Sequence, residues 1–381
     1  MGFAKSSELS SSQRVRLYLD KEFVRADLPQ GTRLPAVRAL ARQLNVSTAT
    51  IYHVYKELMR EGKILSDSGR GTYLAGNKKV GATERLSFAM GTDTSYGCGS
   101  AWTGEIVNSL FRSAARADQR IALIPFPSQL EDTKIIPTLM QERESVNGLI
   151  LFPRPLLTTE ALTPMLDAYR EAQRPVVFIN PFSLQSTSNF VSSDFFEASY
   201  RLAFAWGSSG RRHIVFLSID SLHTSVSDML RLAGLQSGLS ASGLWPQESL
   251  QIVSISPSST TSREAAFEAT GKLLQKEKVD AIYCSSDFLA MGVLDAAHES
   301  GRDIPGDISI VGGTGLTSLP DIEPLLTRLQ QPFAEVGDRV INMLLRLQPA
   351  PSQPQAGEYI RAPYFIGTTT RPEENALLGV N

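Results

Sequence analysis

Cysteine is nearly absent from this sequence. Its 381 residues include only Cys98 and Cys284, which lie far apart and in unlike contexts, so neither a disulfide framework nor a cysteine-based metal site is predicted. The four histidines are too scattered along the chain to suggest a metal site or a catalytic triad. We therefore expect neither a metal nor a cofactor.

Long apolar runs and catalytic motifs are missing as well. No stretch of 18 apolar residues occurs, and the N-terminal segment MGFAKSSELSSSQ has no apolar core of signal-peptide length, so we expect a cytoplasmic protein. There is no P-loop, no GxGxxG after a strand, no GxSxG, no HExxH and no paired CxxC. The motifs therefore give no support to an enzyme.

Charge is unevenly divided along the chain. Residues 1–80 contain 14 Lys and Arg against 7 Asp and Glu, whereas the remainder contains 23 against 32. A basic head on an acidic body is typical of a protein that binds nucleic acid at one end only. The length also exceeds that of one ordinary domain, so two or three folding units are expected.

The stretch from Gly31 to Gly76 has the pattern of a winged helix-turn-helix. Apolar residues recur at helical spacing over residues 35–44, Asn45 breaks the pattern, and Ser47 is placed to cap a second helix. The segment SDSGRG between two short apolar runs predicts a hairpin. A first helix, from about residue 11 to residue 24, is expected to pack beneath the other two.

The outward side of the second helix is small, polar and partly basic. A helix of this kind, preceded by a shorter helix across a tight turn, is suited to placing side chains on base edges in a major groove. The alternative is a three-helix packing module whose charges form only a solvated face. The residues on this outward side are Thr48, Ala49, Thr50, Tyr52, His53 and Lys56.

The segment GTRLPAVRALARQLNVSTATIYHVYKELMREGKI, followed by SGRGTYL, resembles the DNA-binding domain of the GntR family of bacterial transcription regulators. The chain departs from the family pattern at Ala36, Thr48 and Tyr52, which leaves the operator sequence open. The resemblance implies that the helix starts touch phosphates and bases and that the hairpin tip reaches the minor groove. The DNA contacts expected on this basis are Arg38, Ser47, Thr48, Thr50, Tyr52, His53, Lys56 and Arg70.

Beyond a polar linker at residues 77–86, short apolar runs alternate with amphipathic helices. One series runs from RLSFAMG to PVVFINP and a second from HIVFLSI to ISIVGG. This alternation predicts parallel sheets covered on both faces. The fold class is therefore α/β, with a winged helix-turn-helix at residues 1–76 and a two-lobed domain at residues 87–376. Ligands of such sheets bind beyond the carboxyl ends of the strands, which predicts a cleft between the lobes.

The second lobe resembles a known sensor. The segments SVSDMLRLAGLQSGLSASGL and VDAIYCSSDFLAMGVLDAAHESGRDIPGDISIVGGTG resemble the effector-binding domain of the LacI/GalR family, a fold shared with periplasmic sugar-binding proteins. The resemblance covers about residues 86–370 and is strongest after residue 190. It implies a chimera of a GntR-type head and a LacI-type sensor, an arrangement known among sugar-responsive repressors.

Three positions of the second lobe carry most of the site prediction. Arg231 stands where the family places an arginine that hydrogen-bonds the effector, although an ion pair at a helix start is the alternative. Asp287 follows Ser286 after a buried strand and is expected either to cap the next helix or to accept a hydrogen bond in the cleft. Thr314 stands where many relatives have an aspartate. The sequence therefore supports an ordinary sugar as the effector less strongly.

Further candidates come from the first lobe and from the segment that crosses between the lobes. Trp102 offers a flat face for a ring, although a core position is equally compatible with its sequence context. Gln331 falls in a crossing segment, and such segments act as hinges for closure. The full set of expected effector contacts is Asp93, Thr94, Trp102, Phe152, Arg154, Arg231, Ser286, Asp287, Thr314 and Gln331.

Two hypotheses on function follow from the sequence. The first is an allosteric transcription regulator, which the resemblance implies is a repressor. We expect it to be a homodimer that binds double-stranded operator DNA and a small-molecule effector and has no membrane partner. The second is a DNA-binding regulator whose sensor no longer binds a small molecule and serves for dimerisation or protein contacts.

Overall fold

The computed structural model describes residues 10–24, 32–60, 63–67, 71–74, 87–93, 101–126, 132–152, 159–184, 188–219, 225–255, 262–316, 324–348 and 357–379. The chain divides into two compact units, residues 1–83 and 84–381. The polar segment at 77–86 and the hairpin tip at 68–70 lie outside the described residues.

In its described residues, the first unit contains three α-helices, a short π-helical turn and a two-stranded hairpin. Its core is formed by Val15 and Leu19 of the first helix together with Leu40, Ile51 and Val54 of the next two. The strands of the hairpin pair antiparallel. In chain order the elements are α1 (Ser11–Leu19), a π-helical turn (Asp20–Val24), α2 (Val37–Leu44), α3 (Thr48–Arg60), β1 (Ile64–Asp67) and β2 (Gly71–Leu74).

The helix bounds of this unit differ from the sequence prediction at two points. The helix expected over 35–44 begins only at Val37, because Ala36 is its N-cap residue and is extended, with φ −61° and ψ 144°. The helix expected over 11–24 ends its α-helical part at Leu19 and continues as the π-helical turn. Leu17, an apolar residue of α1, is 56% exposed and lies outside the packed side of this helix.

The second unit begins with a lobe built on a six-stranded sheet. The sheet has the order β13-β7-β6-β5-β3-β4, and all of its pairs are parallel. Strands β5, β6 and β7 are buried along their whole length, as expected for a parallel sheet covered on both faces. The elements are β3 (Ser87–Asp93), α4 (Ala101–Arg116), β4 (Arg120–Phe126), α5 (Asp132–Glu142), β5 (Gly148–Leu151), α6 (Thr159–Glu171), β6 (Val176–Ile179) and β7 (Phe190–Ser193).

The second lobe repeats this plan with the sheet order β14-β12-β11-β10-β8-β9. Only the β12–β14 pair is antiparallel. The elements are α7 (Phe195–Ser208), β8 (Ile214–Ile219), α8 (Val226–Ala241), α9 (Pro246–Ser249), β9 (Leu250–Ile255), α10 (Ser262–Lys276), β10 (Ala281–Cys284), α11 (Asp287–Glu299), β11 (Ser309–Gly312), β12 (Thr327–Leu329), β14 (Tyr364–Phe365) and α13 (Pro372–Leu378).

The chain crosses between the lobes three times. It passes from β7 to α7 through Asp194, from β12 to α12 (Phe333–Leu347) through residues 330–332, and from β13 (Gly357–Ile360) to β14 through residues 361–363. Helix α12 packs into the core of the first lobe with Phe88 and Met90. The parallel sheets and the α/β class predicted from the sequence are confirmed, while the place of β13 in the first sheet was not foreseen.

No helix in the described part of the chain is both long enough and apolar enough to cross a membrane.

Candidate DNA-binding face and effector site

The start of α3 is fixed by local hydrogen bonds. The Ser47 hydroxyl accepts a hydrogen bond from the backbone N–H of Thr50 over 3.0 Å, which is the capping role expected from the sequence. The hydroxyls of Ser47 and Thr50 also lie 2.8 Å apart and bond to each other. Both hydroxyls are therefore committed to the helix start.

The remaining DNA-face candidates on α3 point into solvent. Thr48, Tyr52, His53 and Lys56 are exposed, and 60% of Tyr52 is accessible. The His53 ring nitrogen Nδ1 lies 3.5 Å from the carboxylate of Glu57, one turn along the helix. The structure thus places these four side chains on one accessible surface of α3.

The other two DNA-face candidates lie off this helix. Arg38 is exposed in the first turn of α2, whereas Arg70 lies outside the described residues. Tyr55 of α3 donates a hydrogen bond over 2.6 Å to the carbonyl oxygen of Pro35, just before α2. Burial, with a smaller contribution from Tyr18, raises the pKa of Tyr55 to about 12, so the phenol stays protonated. This bond ties the approach to α2 to α3.

In the second unit, several candidates meet between the two lobes. Trp102, at the start of α4, donates a hydrogen bond over 3.0 Å to the side-chain oxygen of Gln331 in the second crossing segment. The Gln331 amide nitrogen in turn donates over 3.3 Å to the carbonyl oxygen of Gly313, after β11. Phe152, after β5, packs edge-on against Trp102 with ring centres 6.1 Å apart. A continuous chain of contacts therefore links the first lobe to the second.

Arg231 of α8 joins this chain from the second lobe. Its Nη2 donates over 3.1 Å to the same Gly313 carbonyl, its Nη1 over 2.8 Å to Asp228, and its Nε over 3.2 Å to the Tyr283 hydroxyl. The guanidinium also lies over the Phe195 ring, 4.1 Å from its centre. Both alternatives from the sequence remain compatible with this position, because the arginine forms an ion pair and also lies at the carboxyl ends of the strands.

The electrostatics keep Arg231 charged although only 4% of it is exposed. Burial acts to lower the pKa of the guanidinium, but Tyr283 and Asp228 outweigh it, so the net shift is upward. The second carboxylate oxygen of Asp228 accepts a hydrogen bond from the Ser218 hydroxyl over 2.6 Å. The pair is therefore surrounded by polar partners on both sides, as a buried ion pair requires.

Asp287 holds the loop that follows β11. Its carboxylate accepts hydrogen bonds from the backbone N–H groups of Thr314, over 3.0 Å, and Leu316, over 2.9 Å, while the Thr314 hydroxyl accepts from the Asp287 N–H. Burial raises the pKa of Asp287 although these hydrogen bonds act in the opposite direction. The expectation that Asp287 caps α11 is wrong, because Ser286 occupies the N-cap position and accepts from the Phe288 N–H.

Three expected effector contacts cannot be assigned a place in this cluster. Asp93 ends β3, at the correct end of the sheet, but its side chain is outside the described part, as are Thr94 and Arg154 altogether. The structure therefore brings together Trp102, Phe152, Arg231, Ser286, Asp287, Thr314 and Gln331 at the carboxyl ends of the strands.

Sequence reasoning missed the groups that surround Arg231. Asp228 lies three residues before it on α8, a spacing that places two helical side chains side by side and would have predicted the ion pair. Tyr283 lies inside the buried strand β10, where a tyrosine hydroxyl needs a partner. Phe195 lies just after the first crossing segment, and no local sequence signal connects it to Arg231.

Comparison with known sequences divides the chain in the same two parts. The family described as bacterial regulatory proteins of the gntR family matches residues 11–74, and the periplasmic binding protein-like domain family matches residues 207–370. The HTH-type transcriptional repressor PurR of Escherichia coli O139:H28 is 24% identical over 344 residues, which cover 85% of this chain and 94% of PurR.

Solved structures share the fold of the second unit. The lac repressor dimer bound to operator and an anti-inducer has a TM-score of 0.64 and 20% identity, covering 76% of this chain and 95% of that one. A LacI-family regulator from Enterococcus faecium with bound ribose has a TM-score of 0.61 and 18% identity, covering 75% and 99%. Residues 11–74 are thus similar to the DNA-binding part of gntR-family regulators, residues 207–370 are similar to the periplasmic binding protein-like domain family, and the second unit has the fold of LacI-family regulators.

Proposed function

We propose that this protein is a cytoplasmic, homodimeric repressor whose hold on its operator is set by a small molecule bound between the two lobes, with no catalytic step. The observation that carries the proposal is the chain of contacts from Trp102 through Gln331 to Gly313 and Arg231, at the carboxyl ends of both sheets. Flat aromatic faces beside hydrogen-bonding groups suit a sugar or a sugar derivative. The ribose-bound regulator of similar fold supports that class.

The mechanism is a shift of population between lobe arrangements. An effector changes operator affinity only if it binds one arrangement more tightly than the other. A molecule that replaces the protein's own bonds to Arg231 and Gln331 acts on the contacts that link the lobes. Two heads on one dimer would then move relative to the half-sites of a pseudo-palindromic operator.

The DNA-binding part is tested by Arg38→Ala. Arg38 is exposed at the start of α2, so we expect it to contact a phosphate or a base. Its loss should weaken operator binding at least about fivefold and, for a phosphate contact, should reduce the slope of log K against log salt concentration by about 0.9. Fluorescence anisotropy at several salt concentrations measures both quantities.

Arg14→Ala is the matched control for this measurement. It removes the same charge from α1, where Arg14 is also exposed, and it leaves α2 and α3 unchanged. If Arg38→Ala binds the operator as tightly as the control does, Arg38 has no role at the interface.

The effector part is tested by a thermal-shift screen with sugars, sugar acids and nucleosides. We expect at least one compound to raise the melting temperature of the wild type, because a ligand that binds only the folded state stabilises it. The shift should be lost in Arg231→Lys, which keeps the charge beside Asp228 but removes the planar donor fork. Arg263→Lys is the control, because Arg263 forms an exposed ion pair with Asp295 on α10 and α11.

One observation favours the second hypothesis, a sensor that serves only for dimerisation or protein contacts. Each of the three Arg231 nitrogens already donates to a group of the protein, and Thr314 is bonded to Asp287 rather than free to meet a ligand. Under that hypothesis no compound of a broad library raises the melting temperature. A shift that persists unchanged in Arg231→Lys would place the ligand elsewhere.

A further inference from the structure

The outward surface at the start of α3 has an unusual chemistry for a surface that meets DNA. Thr48, Ala49, Tyr52 and His53 are its exposed residues in the first two turns, and the spacing of the first three puts them on one side of the helix. Their outermost groups include two methyl groups and one aromatic ring. In recognition helices these N-terminal positions are the ones that contact base edges.

The hydroxyl groups near the start of α3 differ in whether they form a hydrogen bond within the protein. Those of Ser47 and Thr50 are bonded to each other, and Ser47 also caps the helix. Thr48 and Tyr52, by contrast, have no hydrogen-bond partner among the described residues, so their side chains are available to a bound molecule.

Side chains that form paired hydrogen bonds with purines are missing from these first two turns. Guanine is commonly contacted by Arg or Lys and adenine by Asn or Gln, but residues 48–55 of α3 contain none of the four. His53 lies beside Glu57, 3.5 Å from its carboxylate, and the exposed Lys56 lies a full turn beyond Tyr52. Apart from His53, these turns therefore offer the bases no charged or amide side chain, and their exposed groups are methyl groups and an aromatic ring beside the hydroxyls of Thr48 and Tyr52.

We propose that α3 recognises thymine by its 5-methyl group, through the methyls of Thr48 and Ala49 and the ring of Tyr52, so that each operator half-site carries A·T pairs where this surface meets the major groove. The thymine methyl is the one apolar group on a major-groove base edge, and Thr, Ala and aromatic side chains are suited to contacting it. Arg38 and Lys56 then supply positive charge for phosphates rather than base contacts. This inference rests on the proposed function, since it requires that the head binds DNA.

The test begins with the full-length protein and a pool of random duplexes. After the operator has been selected at low salt, each thymine of the half-site is replaced by deoxyuridine, which removes only the 5-methyl group. Loss of one buried methyl contact should weaken binding about fourfold. We expect this at one to three thymines, clustered within a half-site.

Thr48→Ser identifies the protein side of the contact. It removes one methyl, keeps the hydroxyl and leaves the capping residue Ser47 untouched. We expect the variant to bind the thymine operator about fourfold more weakly and to lose its sensitivity to deoxyuridine at one position, because the two changes remove the same contact. Thr163→Ser is the matched control, since it removes one methyl from an exposed threonine of α6 in the second unit and leaves α3 unchanged.

The outcomes separate this inference from the proposed function. If no operator is recovered at low salt, both fail. If an operator is recovered and every deoxyuridine duplex binds within twofold of the parent, or if the deoxyuridine penalties persist in both Thr48→Ser and Tyr52→Ala, the head binds DNA but does not recognise thymine methyl groups through this surface.

Discussion

Glu374→Ala is expected to cost the effector domain about 3–5 kcal/mol of unfolding free energy. Glu374 of α13 is fully buried and accepts a hydrogen bond over 2.7 Å from Nε of Arg211, which is itself 2% exposed. Its other oxygen accepts from the Ser309 hydroxyl over 2.7 Å and from the Arg371 backbone N–H over 3.0 Å. Removing the carboxylate therefore leaves a buried arginine charge without its counter-ion.

The size of the effect follows from where Arg211 lies. Its Nη groups donate to the carbonyl oxygens of Asp307, over 3.0 Å, and Pro305, over 2.6 Å, both in the turn before β11. One cluster thus ties the end of α7 and the last helix of the chain to the central sheet of the second lobe. Glu374→Ala disrupts all of these connections, because the remaining neutral acceptors do not compensate the charge.

Urea unfolding followed by tryptophan fluorescence measures this effect. Trp102, Trp206 and Trp245 all lie in the second unit, so the signal reports on that unit alone. Glu373→Ala is the matched control, because Glu373 is exposed and lies 4.0 Å from Arg371. Exposed pairs of this kind contribute about 0–1 kcal/mol. A loss in Glu374→Ala no larger than in the control would contradict the assignment.

Much of the effector-domain fold could be predicted from the sequence because its signals are local. The apolar runs at β5, β6, β10 and β11 are buried over their whole length, as the alternation of strand and helix patterns indicated. The sequence did not predict β13. This four-residue edge strand has two exposed residues, and its pairing with β7 is set by tertiary contacts alone.

The site shows the same division between local and distant causes. Residues that follow parallel strands were expected to meet at one edge, and Phe152, Asp287 and Thr314 do lie at strand ends. The role of Asp287 could not be predicted, because its carboxylate bonds to a loop 27 residues further along the chain. Local capping preference favours Ser286 and Asp287 alike, so the sequence left the role of Asp287 open between the cap and the cleft, and in the structure Ser286 takes the cap.

In the DNA-binding domain, the predicted start of α2 was wrong. A hydrogen bond from a residue distant in sequence outweighs the local preference of Pro35 for the first helical position. Pro35 is favourable at the first position of a helix, yet α2 begins two residues later. The Tyr55 hydroxyl holds the Pro35 carbonyl from 20 residues away. The two-residue shift leaves Arg38 in the first turn of α2, where it stays exposed.

Asp228→Ala is expected to destabilise the effector domain by about 3–5 kcal/mol, the second large effect. The substitution leaves the Arg231 guanidinium buried over Phe195, with only the Tyr283 hydroxyl and the Gly313 carbonyl as acceptors. The Ser218 hydroxyl also loses its 2.6 Å hydrogen bond to Asp228 and keeps only the 3.1 Å bond to the carbonyl oxygen of Ile219. The same urea titration by tryptophan fluorescence measures the loss.

The double variant Asp228→Leu/Arg231→Met separates stability from effector binding. Replacing both partners of a buried ion pair by apolar residues of similar size is often nearly neutral, so the double variant should recover most of the stability that Asp228→Ala loses. If Arg231 binds the effector, the compound that raises the melting temperature of the wild type does not raise that of the stable double variant. If the double variant is as unstable as Asp228→Ala, the isolated charge of Arg231 is not the cause of the loss. If it is stable and still responds to the compound, the ion pair is structural and the effector contacts lie on other residues between the lobes.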